Sequence, residues 1–126
     1  MNEDKNTQRK DSNHNFIYEN DILEIYGTYK NQKIKILARV IFLKGQKDKS
    51  NPNPFYILDK FGLYPLKLTN TSAFTKLGNM EDENLKEEFK KDFLSLEKNE
   101  RMLLIKQNGY LKAYNEYLKT YESEEE

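Results

Sequence analysis

The segment from Lys33 to Leu43 (KIKILARVIFL) constrains the fold more than any other stretch of the chain. Side chains on one side of this segment, taken as an extended chain, are all apolar, which is the period of two that a β-strand imposes. These residues are Ile34, Ile36, Ala38, Val40 and Phe42. The other side begins with Lys33 and Lys35 and turns apolar towards Leu43. The segment therefore predicts a central strand with one face in the core and a second face that is basic at one end.

Shorter strand-like segments surround this central strand and are separated by turn residues. Ile22–Tyr29 is rich in β-branched and aromatic residues, and the short loop Lys30–Gln32 joins it to the central strand. Phe55–Asp59 and Leu63–Leu68 follow a longer, proline-containing loop. Because Pro65 has no N–H to donate, we expect the last strand to lie at an edge or a bulge. Four short antiparallel strands predict a small SH3-like β-barrel or a bent sheet.

The apolar pattern changes to a helical period in the second half of the chain. An acidic helix start at residues 79–82 precedes an apolar stripe formed by Leu85, Phe89, Phe93 and Leu96. A second helical stripe follows, formed by Leu111, Tyr114, Leu118 and Tyr121. A hairpin turn at Asn108–Gly109 is the alternative to a second helix there.

These patterns together predict a single α+β domain over residues 16–121, which is β-rich at 16–70 and helical at 79–121. Residues 1–15 carry no apolar residue after Met1, so we expect them to form a disordered arm. Residues 122–126 are expected to form a solvated acidic tail.

The composition argues against catalysis. The chain has no cysteine, and its single histidine, His14, lies in the arm that is expected to be disordered. It also lacks a phosphate-binding glycine loop, an HExxH motif and a nucleophile elbow. We therefore expect a protein that is not an enzyme and has neither a cofactor nor a metal site. Without a long apolar run or a secretory signal, we expect a cytoplasmic protein with no membrane association.

The distribution of charge is uneven although the net charge is zero. Residues 21–80 carry ten basic and four acidic residues, a net charge of +6. Residues 81–126 carry eight basic and 13 acidic residues, a net charge of −5. A basic first half is typical of chains that bind nucleic acid or an acidic partner. The alternative is that the two halves attract each other in the folded chain.

The candidate nucleic-acid-binding residues belong to the basic half. Cations on the central strand and the loop after it would neutralise phosphates, and nearby rings such as Tyr26, Tyr29 and Phe55 offer stacking surfaces for unpaired bases. The candidates are Lys30, Lys33, Lys35, Arg39, Lys44, Lys47, Lys49 and Tyr56. The alternative is that these lysines only solvate a sheet face and protect its edge from aggregation.

The candidate partner-binding residues belong to the acidic, helical half. Tyrosine is enriched at protein interfaces, and carboxylates on an exposed helix face imitate phosphate charge. The candidates are Tyr110, Tyr117, Glu87, Glu88 and Asp92. Solvated pairs such as Glu87–Lys91 are the simpler explanation of the carboxylates. Leu37 and Ile41 are expected to be exposed on the outer strand face, where they would favour a homodimer.

The segment Ile17–Ile25 (IYENDILEI) resembles the IYEGDIV segment of the YopX-like family of small phage and prophage proteins. Ala38–Phe42 and Phe55–Asp59 correspond to later strands of that family, so the resemblance covers residues 16–68. Asn20 stands where the family has glycine. The resemblance implies a β-rich fold and a phage or mobile-element origin.

The sequence therefore predicts a non-catalytic protein-binding module that is encoded by a phage or mobile element. One concrete version is an inhibitor of a host-defence or nucleic-acid-handling complex, in which the acidic helical half docks on a nucleic-acid channel. Direct nucleic-acid binding by the basic face of the β-barrel is the alternative. The expected partner is a protein, with nucleic acid and a second copy of the chain as further candidates.

Overall fold

The fold is known from a computed structural model, which describes residues 5–42, 55–66, 69–95 and 119–121. The strands are β1 (Asn6–Lys10), β2 (Phe16–Tyr18), β3 (Asp21–Tyr29), β4 (Gln32–Phe42), β5 (Phe55–Asp59), β6 (Gly62–Pro65) and β7 (Thr75–Asn79). A 3-10 turn at Thr71–Ala73 precedes β7, and helix α1 (Glu83–Phe93) follows it. Residues 96–118 and 122–126 lie outside the described residues, so the choice between helix and hairpin at Asn108–Gly109 and the acidic tail stay predictions.

The main sheet has the strand order β6-β5-β4-β3-β7, and each neighbouring pair is antiparallel. Strands β1 and β2 form a separate two-stranded ribbon. The described part of the chain is thus mostly antiparallel sheet with a short helix, in line with the α+β expectation. The main sheet is open, with β6 and β7 at its edges, so an SH3-like barrel is not confirmed. Pro65 lies on edge strand β6, as its missing N–H predicted.

Strand β4 is the centre of the sheet, as its alternating sequence predicted. It pairs with β3 from Arg39 to Gln32 and with β5 from Arg39 to Phe42. On one face of the sheet, Ala38 and Val40 are fully buried. They pack in a core cluster with residues from the β1–β2 ribbon and from the segment before β7, including Ile17, Leu66 and Phe74.

The opposite face of the sheet is covered by α1. Leu85, Phe89 and Phe93 are buried, and they pack in a second core cluster with Leu37 and Ile41. Because the helix covers them, Leu37 is only 6% exposed and Ile41 only 2%. The prediction that these two residues form an exposed outer patch, which favoured a homodimer, is therefore wrong.

Helix α1 begins at Glu83, just after the predicted acidic start. The Asp82 carboxylate caps it by accepting hydrogen bonds from the N–H groups of Asn84 (3.0 Å) and Leu85 (3.1 Å). A Cβ atom at Gly78 would lie 2.9 Å from Leu85 Cδ2, so the glycine lets the helix pack closely against β7.

The N-terminal segment departs from the prediction of a disordered arm, since Asn6–Lys10 forms β1 and pairs with β2. Hydrogen bonds stabilise it where apolar burial is lacking. Thr7 Oγ1 donates to the carbonyl oxygen of Ile17 at 2.6 Å. The buried Asp11 carboxylate accepts from the N–H groups of Asn13, Asn15 and Lys76, which ties the ribbon to β7.

Candidate nucleic-acid interface

The hairpin formed by β3 and β4 extends beyond the rest of the sheet. Its two strands pair from Ile22 opposite Arg39 to Tyr29 opposite Gln32. Strand β7 pairs with β3 only as far as Glu24, and β5 pairs with β4 only from Arg39 onwards. Within the described part of the chain, no third strand therefore pairs with residues 25–36, which we call the distal hairpin.

The distal hairpin ends in a two-residue turn at Lys30 and Asn31. Both residues have positive φ angles, 51° and 65°, as a type I′ turn requires. Tyr29 and Gln32 form the closing pair, so Gln32 belongs to β4 and not to the predicted loop. The turn matches the natural twist of the two strands and directs Lys30 to an exposed tip.

One face of the distal hairpin carries an aromatic ring on β3 beside two lysines on β4. Tyr26 lies opposite Lys35 and Thr28 lies opposite Lys33, so these four residues share the side of β4 that α1 covers further along. All four are exposed, and Tyr26 is 58% exposed. Lys33 Nζ lies 5.8 Å from the centroid of the Tyr26 ring, within cation–π distance. We call Tyr26, Lys33 and Lys35 the basic platform.

The hydroxyl group of Tyr26 lies next to the carboxylate of Glu24. A hydrogen bond from the Tyr26 hydroxyl to the Glu24 carboxylate, together with the negative charge of that carboxylate, raises the pKa of the hydroxyl above its ordinary value of 10.0. Glu24 is half-buried and lies two residues from Tyr26 on the same face of β3. The ring is thus held at its polar end while much of its surface stays exposed.

Two of the predicted nucleic-acid-binding residues are engaged elsewhere. Arg39 is half-buried, and its guanidinium donates to Asn20 Oδ1, at 2.9 Å from Nη2, and to the Tyr121 hydroxyl. Tyr56 is 1% exposed and packs in the core beneath α1, so its ring cannot stack on a base. The sequence placed both residues correctly in strands, but it did not show which residues the helix and residues 119–121 would cover.

The other predicted basic residues divide into two groups. Lys30, Lys33 and Lys35 are exposed on the distal hairpin, where the prediction placed them. Lys44, Lys47 and Lys49 lie outside the described residues. The structure therefore places three of the predicted cations on the distal hairpin. Of the rings that the sequence offered for stacking, Tyr26 is exposed there, whereas Phe55 is buried.

The acidic candidates on α1 also differ in their exposure to solvent. Glu87 and Glu88 are exposed. Asp92 is half-buried, where its Oδ2 accepts from the Leu37 N–H at 3.0 Å and its Oδ1 lies 3.3 Å from Lys60 Nζ. Asp92 therefore fastens the end of α1 to the sheet. Tyr110 and Tyr117 lie outside the described residues.

Sequence reasoning missed an unusual carboxyl group close to Asp92. Burial raises the pKa of the Asp59 carboxyl to about 7, and the negative charge of Asp92 adds to this effect. Hydrogen bonds from the N–H groups of Phe61 and Gly62 and the charge of Lys60 oppose the rise. The only signal in the sequence was an aspartate before the Lys60–Gly62 turn, which is a common turn pattern and gives no indication of burial.

Two features that often accompany function are absent from the described residues. No group of three or more histidine, cysteine, aspartate or glutamate side chains in them is arranged to hold a metal ion. None of their helices is long and apolar enough to cross a membrane.

Comparison with known proteins adds no family assignment. Neither a protein-family model, nor a curated protein, nor a solved structure matches this chain.

Proposed function

We propose that this protein is a non-catalytic binding module that contacts nucleic acid through its distal hairpin. The observation that carries the proposal is the basic platform, in which Lys33 and Lys35 on β4 lie beside the exposed Tyr26 ring of β3 on a ribbon that extends beyond the sheet. Lysines on such a surface neutralise phosphates and release counterions, which provides most of the affinity in sequence-independent binding.

The shape of the distal hairpin supports the same proposal. A two-stranded ribbon is narrow enough to enter a nucleic-acid groove or to lie along a strand. The exposed Glu87 and Glu88 on α1 would repel phosphates, which favours contact at the hairpin over contact at that part of the helix.

Fluorescence anisotropy with labelled oligonucleotides at low and high salt tests this proposal. The key variant replaces Lys33 and Lys35 with glutamine. Its matched control replaces Lys86 and Lys91 on α1 with glutamine, which changes the net charge equally but outside the platform. We expect the platform variant to bind at least about tenfold more weakly and to reduce the slope of log K against log salt by about 2.

Two outcomes would contradict the proposal. In the first, the wild-type protein does not bind any oligonucleotide at about 50 mM salt, where phosphate contacts are strong. In the second, the control variant loses as much affinity as the platform variant, which would assign binding to net charge and not to the hairpin.

A protein partner in a phage or mobile-element setting is the second candidate function, within the cytoplasm. The resemblance of Ile17–Ile25 to the YopX-like family supports that setting, and the exposed acidic residues of α1 support a basic protein surface as the target. Inhibition of a host-defence or nucleic-acid-handling complex is its concrete form. Replacement of Glu87 and Glu88 with lysine should abolish co-purification of such a complex, and unchanged recovery would remove this candidate.

A further inference from the structure

We propose that the basic platform selects single-stranded over double-stranded nucleic acid, with the Tyr26 ring stacking on one unpaired base while Lys33 and Lys35 contact phosphates beside it. This inference rests on the proposed function and names the substrate class of the same site.

The accessibility of the ring is the first argument. Tyr26 is 58% exposed, more than Phe16 at 39% or Leu77 at 42%, the other exposed large hydrophobic residues in the described part of the chain. Any base has a flat π surface that can stack on such a ring, and stacking of this kind tolerates any sequence. The ring therefore matches an unpaired base without requiring a particular one.

The restraint on the ring is the second argument. The hydroxyl of Tyr26 is hydrogen-bonded to Glu24, and the side chain is attached to a strand that pairs with β4. A ring that is already held in place loses less conformational freedom when a ligand binds. Tyr26 is thus pre-organised for stacking, which a tyrosine on a loose loop would not be.

The positions of the two lysines are the third argument. Lys35 is directly across the strand pair from Tyr26, and Lys33 Nζ already lies over the ring at 5.8 Å from its centroid. Two residues apart on one strand, their α-carbons are separated by about 7 Å. The two cations can therefore contact neighbouring phosphates of a strand that runs along β4, beside a base that lies on the ring.

The same geometry disfavours a duplex. In a duplex the flat surfaces of the bases are covered by their neighbours, so Tyr26 can reach one only after the bases unstack, which costs free energy. A duplex would therefore interact with the lysines alone.

The experiment compares a single-stranded oligonucleotide with the matched duplex, using Tyr26→Leu and Tyr26→Phe. Leucine keeps an apolar side chain but removes the ring, whereas phenylalanine keeps the ring and loses only the bond to Glu24. We expect Tyr26→Leu to weaken single-strand binding by about 5- to 150-fold, the usual contribution of one stacked base. Duplex binding of Tyr26→Leu should change by less than about twofold, because a duplex does not use the ring. Tyr26→Phe keeps the ring and should lose much less single-strand affinity than Tyr26→Leu, since it gives up only the restraint from Glu24.

A direct optical test uses the absence of tryptophan from the chain. The Tyr26→Trp variant has its only tryptophan on the platform, and Phe16→Trp has its only tryptophan on β2, away from the platform. Stacking on a base should quench the fluorescence of the first variant with single strands, while the fluorescence of the second should not change.

The outcomes separate this inference from the proposed function. Equal binding of single and double strands, with no effect of Tyr26→Leu and no quenching in Tyr26→Trp, would overturn the stacking inference and leave the hairpin as a nucleic-acid site. Failure of the wild-type protein to bind either form would overturn both. Circular dichroism of each variant ensures that a loss of binding is not a loss of fold.

Discussion

The two halves of the β3–β4 hairpin differ although they are parts of the same two strands. In the proximal half, the side of β4 that faces α1 carries Leu37 and Ile41, which are buried beneath α1. In the distal half, the same side carries Lys33 and Lys35, which are exposed. The change from apolar to basic occurs where the helix stops covering the sheet.

The proximal half of the hairpin contributes to stability, and the distal half of the same hairpin is the proposed binding surface. The proximal half stabilises the fold through apolar contacts with a helix, which are worth about 25 cal/mol for each Å² removed from water. The distal half has few such contacts and is available for a ligand, as is common for binding segments that a rigid scaffold holds in place. Two tyrosines illustrate the contrast, since Tyr56 is 1% exposed in the core and Tyr26 is 58% exposed on the distal hairpin.

The largest test of this contrast is Phe89→Ala in α1, the helix that packs on the proximal half. Phe89 is fully buried and stacks against Phe93 with ring centroids 5.7 Å apart. Its removal should lower the free energy of unfolding by about 3–5 kcal/mol, because both the transfer energy and a cavity contribute. Lys33→Gln with Lys35→Gln should change it by less than about 0.5 kcal/mol. Urea unfolding measures the free energy of unfolding of each variant. Similar losses of stability in the two variants would contradict the difference between the two halves of the hairpin.

Asp59, the last residue of β5, should make the stability of the fold sensitive to pH. Its pKa is about 7 in the folded protein and near the ordinary value of 3.8 in the unfolded chain. The folded state therefore binds the proton more tightly, so the stabilisation is fully present below about pH 4 and is lost as pH rises to about 7. Between these values the free energy of unfolding should fall with a slope of up to about 1.4 kcal/mol per pH unit.

The Asp59→Asn variant tests whether Asp59 causes this pH dependence. Asparagine keeps an acceptor for the Phe61 N–H but does not titrate in this range. Urea unfolding of this variant between about pH 4 and pH 7 should lose the slope that Asp59 contributes. Asp92→Asn should move the midpoint to lower pH, since it removes the negative charge that helps to raise the Asp59 pKa. A slope that persists in Asp59→Asn would assign the pH dependence to other groups.

The smallest expected effect lies at the tip of the distal hairpin. Lys30 has a φ angle of 51°, a left-handed conformation that asparagine adopts more readily than lysine. Lys30→Asn should stabilise the protein by about 0.5–1 kcal/mol, measured by thermal unfolding. If Lys30→Asn instead destabilises the protein, the side chain of Lys30 must stabilise the turn by more than its left-handed backbone conformation costs.

The sequence predicted the parts of the fold whose side-chain pattern is local. Period-two alternation identified β4, the stripe of Leu85, Phe89 and Phe93 identified α1, and Pro65 indicated an edge strand. Strands β1 and β7 have no comparable apolar pattern and were missed. Strand β1 pairs with β2 and strand β7 with β3, and the Asp11 carboxylate ties the ribbon to β7 by accepting from the Lys76 N–H. Pairing with another segment leaves no periodic signal within the strand itself.

By itself, the sequence determined a basic β-rich half with Lys30, Lys33 and Lys35 near one end of a central strand, because charge and strand period are properties of neighbouring residues. Only the tertiary structure decided which members of that half reach solvent. Helix α1 and residues 119–121 cover Leu37, Tyr56 and part of Arg39, whereas Tyr26 lies beyond the helix and stays exposed. Exposure depends on how far a distant segment extends over the sheet, and no local pattern in β3 or β4 records that distance.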